Sequence, residues 1–159
     1  MASNLNDTVP AAPAGGLNVK WQTDGSGNDS AYLAGGGIPS TAVDLTAQTA
    51  DISPSTLYAV PVGFSGMYRV AVFLIVTQAA TVSSTLPAVS IVFTDNDNNT
   101  SQTLAVTAIN LGNVLTTFEQ GEVIINVKDS TTVQYVTAGS TTVGATALNY
   151  ALHVRIEPV

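Results

Sequence analysis

From Ala147 to Glu157 the chain alternates without a break, and no other feature constrains its fold as tightly. Leu148, Tyr150, Leu152, Val154 and Ile156 fall on one side, and Ala147, Asn149, Ala151, His153, Arg155 and Glu157 on the other. A two-residue period belongs to an extended strand, whose successive side chains point to opposite faces, whereas a helix repeats every 3.6 residues. Met67 to Thr77 reads the same way. Tyr68, Val70, Val72, Leu74 and Val76 share one face of it, and Arg69, Ala71, Phe73 and Ile75 share the other, which predicts cover on both sides. Shorter strands are expected at Leu57–Pro61, Val89–Thr94, Gln102–Ala108 (Leu104 and Val106 on one face), Val123–Val127 and Val133–Val136. Turn residues punctuate them at Gly63-Phe64-Ser65-Gly66, Asp95–Asn99 and Asp129-Ser130. No helical period persists, so the chain predicts an all-β fold. The expected architecture is an antiparallel β-sandwich or jelly roll of seven to eight strands over residues 43–159, preceded by an extended N-terminal arm.

Residues 1–42 differ in texture from the rest. They hold seven of the 13 Gly and three of the seven Pro, with no sustained period. Such a segment buries too little apolar surface to offset its chain entropy unaided. Two islands interrupt it, Leu17–Gln22 and Ala31–Leu33, separated by the turn sequence Asp24-Gly25-Ser26-Gly27-Asn28. They predict a small hairpin, or an arm that orders on a partner, with Leu17, Val19, Trp21, Tyr32 and Leu33 as its anchoring side chains. Within residues 43–159, the irregular stretch Thr107–Gln120 is expected to cross between sheets. Ala138–Thr146 is expected to form a long uncharged loop at one end, whose Ser140, Thr141, Thr142 and Val143 are the candidate exposed contact.

Composition removes most chemistries. Four Lys and Arg against 11 Asp and Glu cannot make the basic footprint that nucleic acid requires. With no Cys and one His, thiol chemistry, Cys-based zinc sites and multi-histidine metal sites are excluded, and no cofactor is expected. Asp95-Asn96-Asp97-Asn98-Asn99-Thr100 begins like a calcium loop, but Thr100 and Val106 stand where Gly and Glu are needed; an Asn/Asp turn explains the same letters. His153 falls on the polar face of the last strand, and no Gly-x-Ser-x-Gly elbow accompanies it. Of the carboxylates that could pair for glycosidase chemistry (Asp95, Asp97, Glu119, Glu122, Glu157), Glu119 and Glu122 flank what reads as a solvated Gln-Gly turn. Gly35-Gly36-Gly37 lacks the Lys and helix of a phosphate loop. Most aromatic residues of the sandwich fall on core-facing positions, which argues against a sugar-stacking platform. Val70–Val76, the longest apolar run, is far below the roughly 20 residues of a membrane helix.

What remains is a shortage of charge. Only 9% of residues are charged, against roughly 25% in a typical soluble domain. Outward positions are expected to carry Thr, Ala, Ser and Asn, which pack against protein without desolvating ions. The chain therefore predicts a homo-oligomer or a component of a larger lattice, not an enzyme. The first residues lack a basic region followed by an apolar core, so synthesis in a cytosol is expected.

Asn4–Pro13 leading into Asn18–Tyr32 resembles the N-terminal leader of small virion proteins of tailed bacteriophages. Val43–Ile52, Thr56–Pro61, Gly66–Val70 and the ending Tyr150–Glu157 are similar to a recurrent β domain of phage structural proteins. The resemblance implies a non-enzymatic virion protein, either capsid decoration or head fibre, commonly a trimer. Its residues 1–42 would hold a major capsid protein or another virion protein. A tail-fibre or receptor-binding module, or a carbohydrate-binding sandwich, is the alternative it leaves.

Overall fold

A computed structural model describes the backbone of Val19–Thr23 and Asp29–Leu33 and the chain from residue 41 to 159, with side chains from Ala42 onward. The chain divides into two units, Met1–Ile38 and Pro39–Val159, so the boundary falls four residues before the expected one. In the first unit β1 (Val19–Thr23) and β2 (Asp29–Leu33) pair antiparallel, Trp21 opposite Ala31. The two islands therefore pair with each other, as the hairpin alternative expects. Leu17 and the side chains of Val19, Trp21, Tyr32 and Leu33 lie outside the described residues.

The second unit is all strand. In chain order it runs β3 (Thr41–Gln48), β4 (Ser55–Ala59), β5 (Gly66–Gln78), β6 (Ser83–Thr85), β7 (Ala88–Thr94), β8 (Ser101–Ala105), β9 (Phe118–Val127), β10 (Thr132–Ala138), β11 (Thr141–Val143) and β12 (Asn149–Pro158). Two four-stranded antiparallel sheets form a β-sandwich, ordered β3-β12-β5-β9 and β4-β10-β7-β8. The alternation read from the sequence places the core. Tyr68, Val70, Leu74, Val76, Tyr150, Leu152, Val154 and Ile156 of the first sheet face Leu57, Val89, Ile91, Val133 and Tyr135 of the second, all buried. Burying each such side chain stabilises the fold by about 1.5–3 kcal/mol.

Several expectations are corrected by hydrogen bonding and close approach. The strand expected to reach Ala108 stops at Ala105, because the N–H groups of Val106 and Thr107 both donate to the carbonyl of Val89, at 2.8 and 3.3 Å. Leu104, opposite the buried Ile91, and Val106, packed on the core, share the inner side as expected, although Leu104 is left half-exposed because β8 is an edge strand. The Gln120-Gly121 pair is no turn; it lies within β9. A Cβ on Gly121 would sit 2.3 Å from the Val106 carbonyl oxygen, so this glycine records a close approach of two backbones. Residues 41–48 form an edge strand, paired to β12 from Gln48–Tyr150 to Thr41–Ile156. The Thr107–Gln120 stretch does carry the chain from one sheet to the other, but it ends at Thr117, and β9 begins at Phe118.

The Asp95–Asn99 turn is built as its letters predict. Asp95 Oδ1 accepts from the backbone N–H of Asp97 and Asn98, at 3.0 and 3.1 Å, and Asn99 takes φ 57°. Asn126 donates its side-chain amide to Asp97 Oδ2. Among the described residues, no three acids or histidines converge on a point where a cation could sit.

Candidate functional site

Two surfaces of the sandwich stand out, and both depart from the even Thr/Ser/Ala exterior that the composition predicts. The first is the outer face of the β3-β12-β5-β9 sheet. Register brings Arg69 opposite Ile124 and Glu157, Ala71 opposite Glu122 and Arg155, Phe73 opposite Gln120 and His153, and Ile75 opposite Phe118 and Ala151. Paired residues of a sheet share a face, so these side chains form one continuous outer surface. Phe73 and Phe118 stack with ring centroids 5.8 Å apart and planes 24° from parallel. The His153 ring lies 6.3 Å beyond Phe73. Phe118 and Ile124 are each about half exposed.

Five polar groups of this face are bonded to one another. His153 Nδ1 and Asp44 Oδ1 lie 2.6 Å apart across β12 and β3. Arg69 bonds Glu157 and approaches Glu122 at 3.8 Å. A shallow depression of about 200 Å³ runs along the strip, lined by Ala42, Asp44, Ala71, Phe73, His153 and Arg155. The expectation of uncharged outward faces is therefore corrected for this sheet: Asp44, Arg69, Glu122, Arg155 and Glu157 all lie on it. It holds for the other sheet, whose outer face carries Thr56, Ser90, Val92, Thr94, Thr103, Gln134 and Val136 and no charge. The cover expected over both sides of β5 is absent within the described sandwich: Phe73 and Ile75 are only half-buried.

The second surface is the end of the sandwich where β5, β3 and β10 finish and β7, β9 and β12 begin. The expected loop Ala138–Thr146 is here, but it is not open. Its residues Thr141–Val143 form β11 and pair with Ser83–Thr85, so that Thr141, Thr142 and Val143 are exposed on a pinned ribbon and Ser140 is half-buried beside it. The Asp51 carboxylate accepts from the N–H of Gly139 and Ser140, both at 2.9 Å. Burial pushes the Asp51 carboxyl up, and the hydrogen bonds from the Ser140 side chain and from the Ser140 and Gly139 backbone outweigh it, leaving the group below the usual carboxylate range. Asn113 bonds Ala80 through both its side-chain oxygen (2.7 Å) and its nitrogen (2.8 Å), fixing the crossing segment over β6.

The acids weighed as a carboxylate pair are bonded to other groups here. Glu119 accepts from the Asn110 side-chain amide at 2.6 Å, and Glu122 and Glu157 share Arg69. Sequence reasoning placed Phe73 on the outward side of its strand but missed Phe118, which it left in the crossing segment; the strand register alone brings the two rings together.

No family model and no curated protein matches the chain. Among solved structures it is similar to a Clostridium thermocellum endo-1,4-β-D-xylanase 10B comprising CBM22-1 and GH10 modules, complexed with xylohexaose. The two share 12% identity at a TM-score of 0.35, over 79% of this chain and 25% of that one. So loose a superposition carries no argument about what this chain binds.

Proposed function

We propose that this chain is a non-enzymatic structural protein of a bacteriophage particle, a decoration or head-fibre protein that assembles with copies of itself. One observation carries the reading: the outer face of the β3-β12-β5-β9 sheet has the make-up of a protein interface. Phe73, Ile75 and Phe118 supply an apolar patch at one end of the face, and Arg155, Arg69, Glu122 and Glu157 a charged patch at the other, with Asp44 on the edge strand. Interfaces are enriched in aromatic residues and Arg. The occupant is a second copy of this chain, because the charged patch carries both signs and can complement itself. Three such faces closing on one axis make the trimer that the likeness to phage structural proteins implies, and each would cover the half-exposed Phe118 and Ile124. Closure also protects the sheet edges β3 and β9 without edge lysines.

The strand order supports a jelly roll. Counting only the eight strands of the two sheets, the first, eighth, third and sixth make one sheet and the second, seventh, fourth and fifth the other. The hairpin β1–β2, outside the sandwich unit, is the proposed attachment to a major capsid protein or another virion protein. The test is incorporation. Particles of the encoding phage, purified through a density gradient, should hold this protein, and particles assembled with a gene lacking residues 1–38 should not. Recovery of the full-length protein only in the unassembled fraction overturns the virion reading; retention of the truncated one overturns the role given to the hairpin.

A further inference from the structure

We infer that self-association through the outer face of the β3-β12-β5-β9 sheet takes up protons at His153, so that copies of the chain assemble more tightly in mildly acidic solution than above neutrality. This rests on the self-association proposed above and adds its regulation. His153 sits where the two patches of the face meet. Along β12, Arg155 follows it on the same side, toward the charged patch. On β5 it faces Phe73 of the apolar patch, with ring centroids 6.3 Å apart. On β3 it faces Asp44, whose Oδ1 lies 2.6 Å from Nδ1. The residues flanking Asp44 and Phe73 on this side of their strands are uncharged, so Asp44 and Arg155 are the charged groups that bear on the ring.

The side chains of His153 and Asp44 are 42% and 66% exposed, so a copy seated on the face takes the pair out of water. A carboxylate desolvated beside a neutral imidazole is left uncompensated. An imidazolium compensates it, and their attraction strengthens as water leaves. Arg155 opposes protonation as a like charge, but the imidazole touches Asp44, whereas Arg155 is in no ion pair among the described residues. The charge of the whole face acts in the same direction. Asp44, Glu122 and Glu157 outnumber Arg69 and Arg155 by one, and a proton on His153 makes each face neutral, which lowers repulsion between copies. Association that binds protons is favoured by falling pH. The chain has one His and no Cys, so a terminal amine is the only other group that ordinarily titrates near neutrality.

Sedimentation equilibrium of the full chain over a concentration series, at about pH 7.5 and about pH 5.5, tests this with the carboxylates ionised throughout. The concentration at half-assembly should fall at least about tenfold at the lower pH. His153→Gln, whose folding is checked by thermal unfolding, should reduce that dependence to less than about twofold while leaving the terminal amine in place. Asp44→Asn should do the same, because the imidazolium then has no carboxylate to compensate. A measurement on the parent needs no variant: the heat of dissociation on dilution, read near about pH 6.5 in two buffers of different ionisation enthalpy, should differ as protons are released. Four results overturn this inference and leave the self-association standing. They are equal half-assembly concentrations at the two pH values, tighter assembly at the higher pH, a dependence undiminished by either variant, and dilution heats indifferent to the buffer. A monomer at both pH values overturns the self-association, and this inference with it.

Discussion

Replacing Thr137 with valine removes one hydroxyl and conserves the shape of the side chain. Thr137 is 3% exposed, and its Oγ1 accepts from the Ile52 N–H at 2.7 Å, while its own N–H donates to the Ile52 carbonyl at 3.0 Å. The same hydroxyl lies 3.3 Å from the Tyr150 hydroxyl, which donates to the Ala50 carbonyl at 2.8 Å. These bonds, with the Asp51 carboxylate, tie the β3–β4 connection to the end of the sandwich. Valine leaves the Ile52 N–H without its acceptor, a cost of about 1–3 kcal/mol, and the added methyl offsets up to about 0.8 kcal/mol. The net loss is about 1–2 kcal/mol, or roughly 4–8 °C in Tm for a domain of this size. Urea unfolding at fixed protein concentration reads it as a lower midpoint with an unchanged slope. Hydrogen exchange should speed at the Ile52 amide ahead of Val133. A variant as stable as the parent, with Ile52 exchange unaltered, would refute the claim that this hydroxyl holds the connection in place.

The other predictions concern the same end and the tightest backbone approach. Asp51 is depressed below its ordinary value of 3.8, so its contribution is fully present above that value and lost as pH falls through the lower folded value. Asp51→Asn should therefore remove a segment of acid destabilisation from a plot of urea midpoint against pH. The Tyr150 hydroxyl is raised above 10.0 by burial first and then by the Asp51 charge, against a hydrogen bond from Thr137 that lowers it. Its contribution is present below 10.0 and lost as pH climbs through the folded value, so Tyr150→Phe should flatten alkaline unfolding while costing about 1 kcal/mol at neutral pH. Gly121→Ala places a methyl against the Val106 carbonyl and should destabilise the sandwich by about 1–3 kcal/mol, read by thermal unfolding.

What the sequence disclosed is what periodicity controls. β12 and β5 are long, each with one apolar face, and their buried sets follow the alternation except at Ala151, which is buried on the outward face of β12. Alternation also assigned Phe73 and His153 to the outward side. It could not reveal Gly121, because the reason for that glycine is the carbonyl of Val106, fifteen positions away in sequence and fixed only by a crossover between sheets. β11 escaped for a related cause: Thr141-Thr142-Val143 has no apolar alternation and is a strand only because Ser83–Thr85 lies beside it. The candidate interface was half legible. Phe73 carries a periodic signal, whereas Phe118 acquires its partner through the register of β5 with β9. The distribution of charge was misjudged for one sheet because net composition does not say which face holds the few ions; Arg69 gathers Glu122 and Glu157 from strands on either side of it.

Self-association through the outer face of the β3-β12-β5-β9 sheet is the claim on which the functional account rests, and a mass in solution addresses it most directly. Sedimentation equilibrium of the full chain, run beside Phe118→Glu, compares one face with and without a charge in its apolar patch. The account predicts three times the 16.3 kDa chain mass for the parent and a folded monomer for the variant. A monomeric parent, or a variant that keeps the parent's mass, would contradict it.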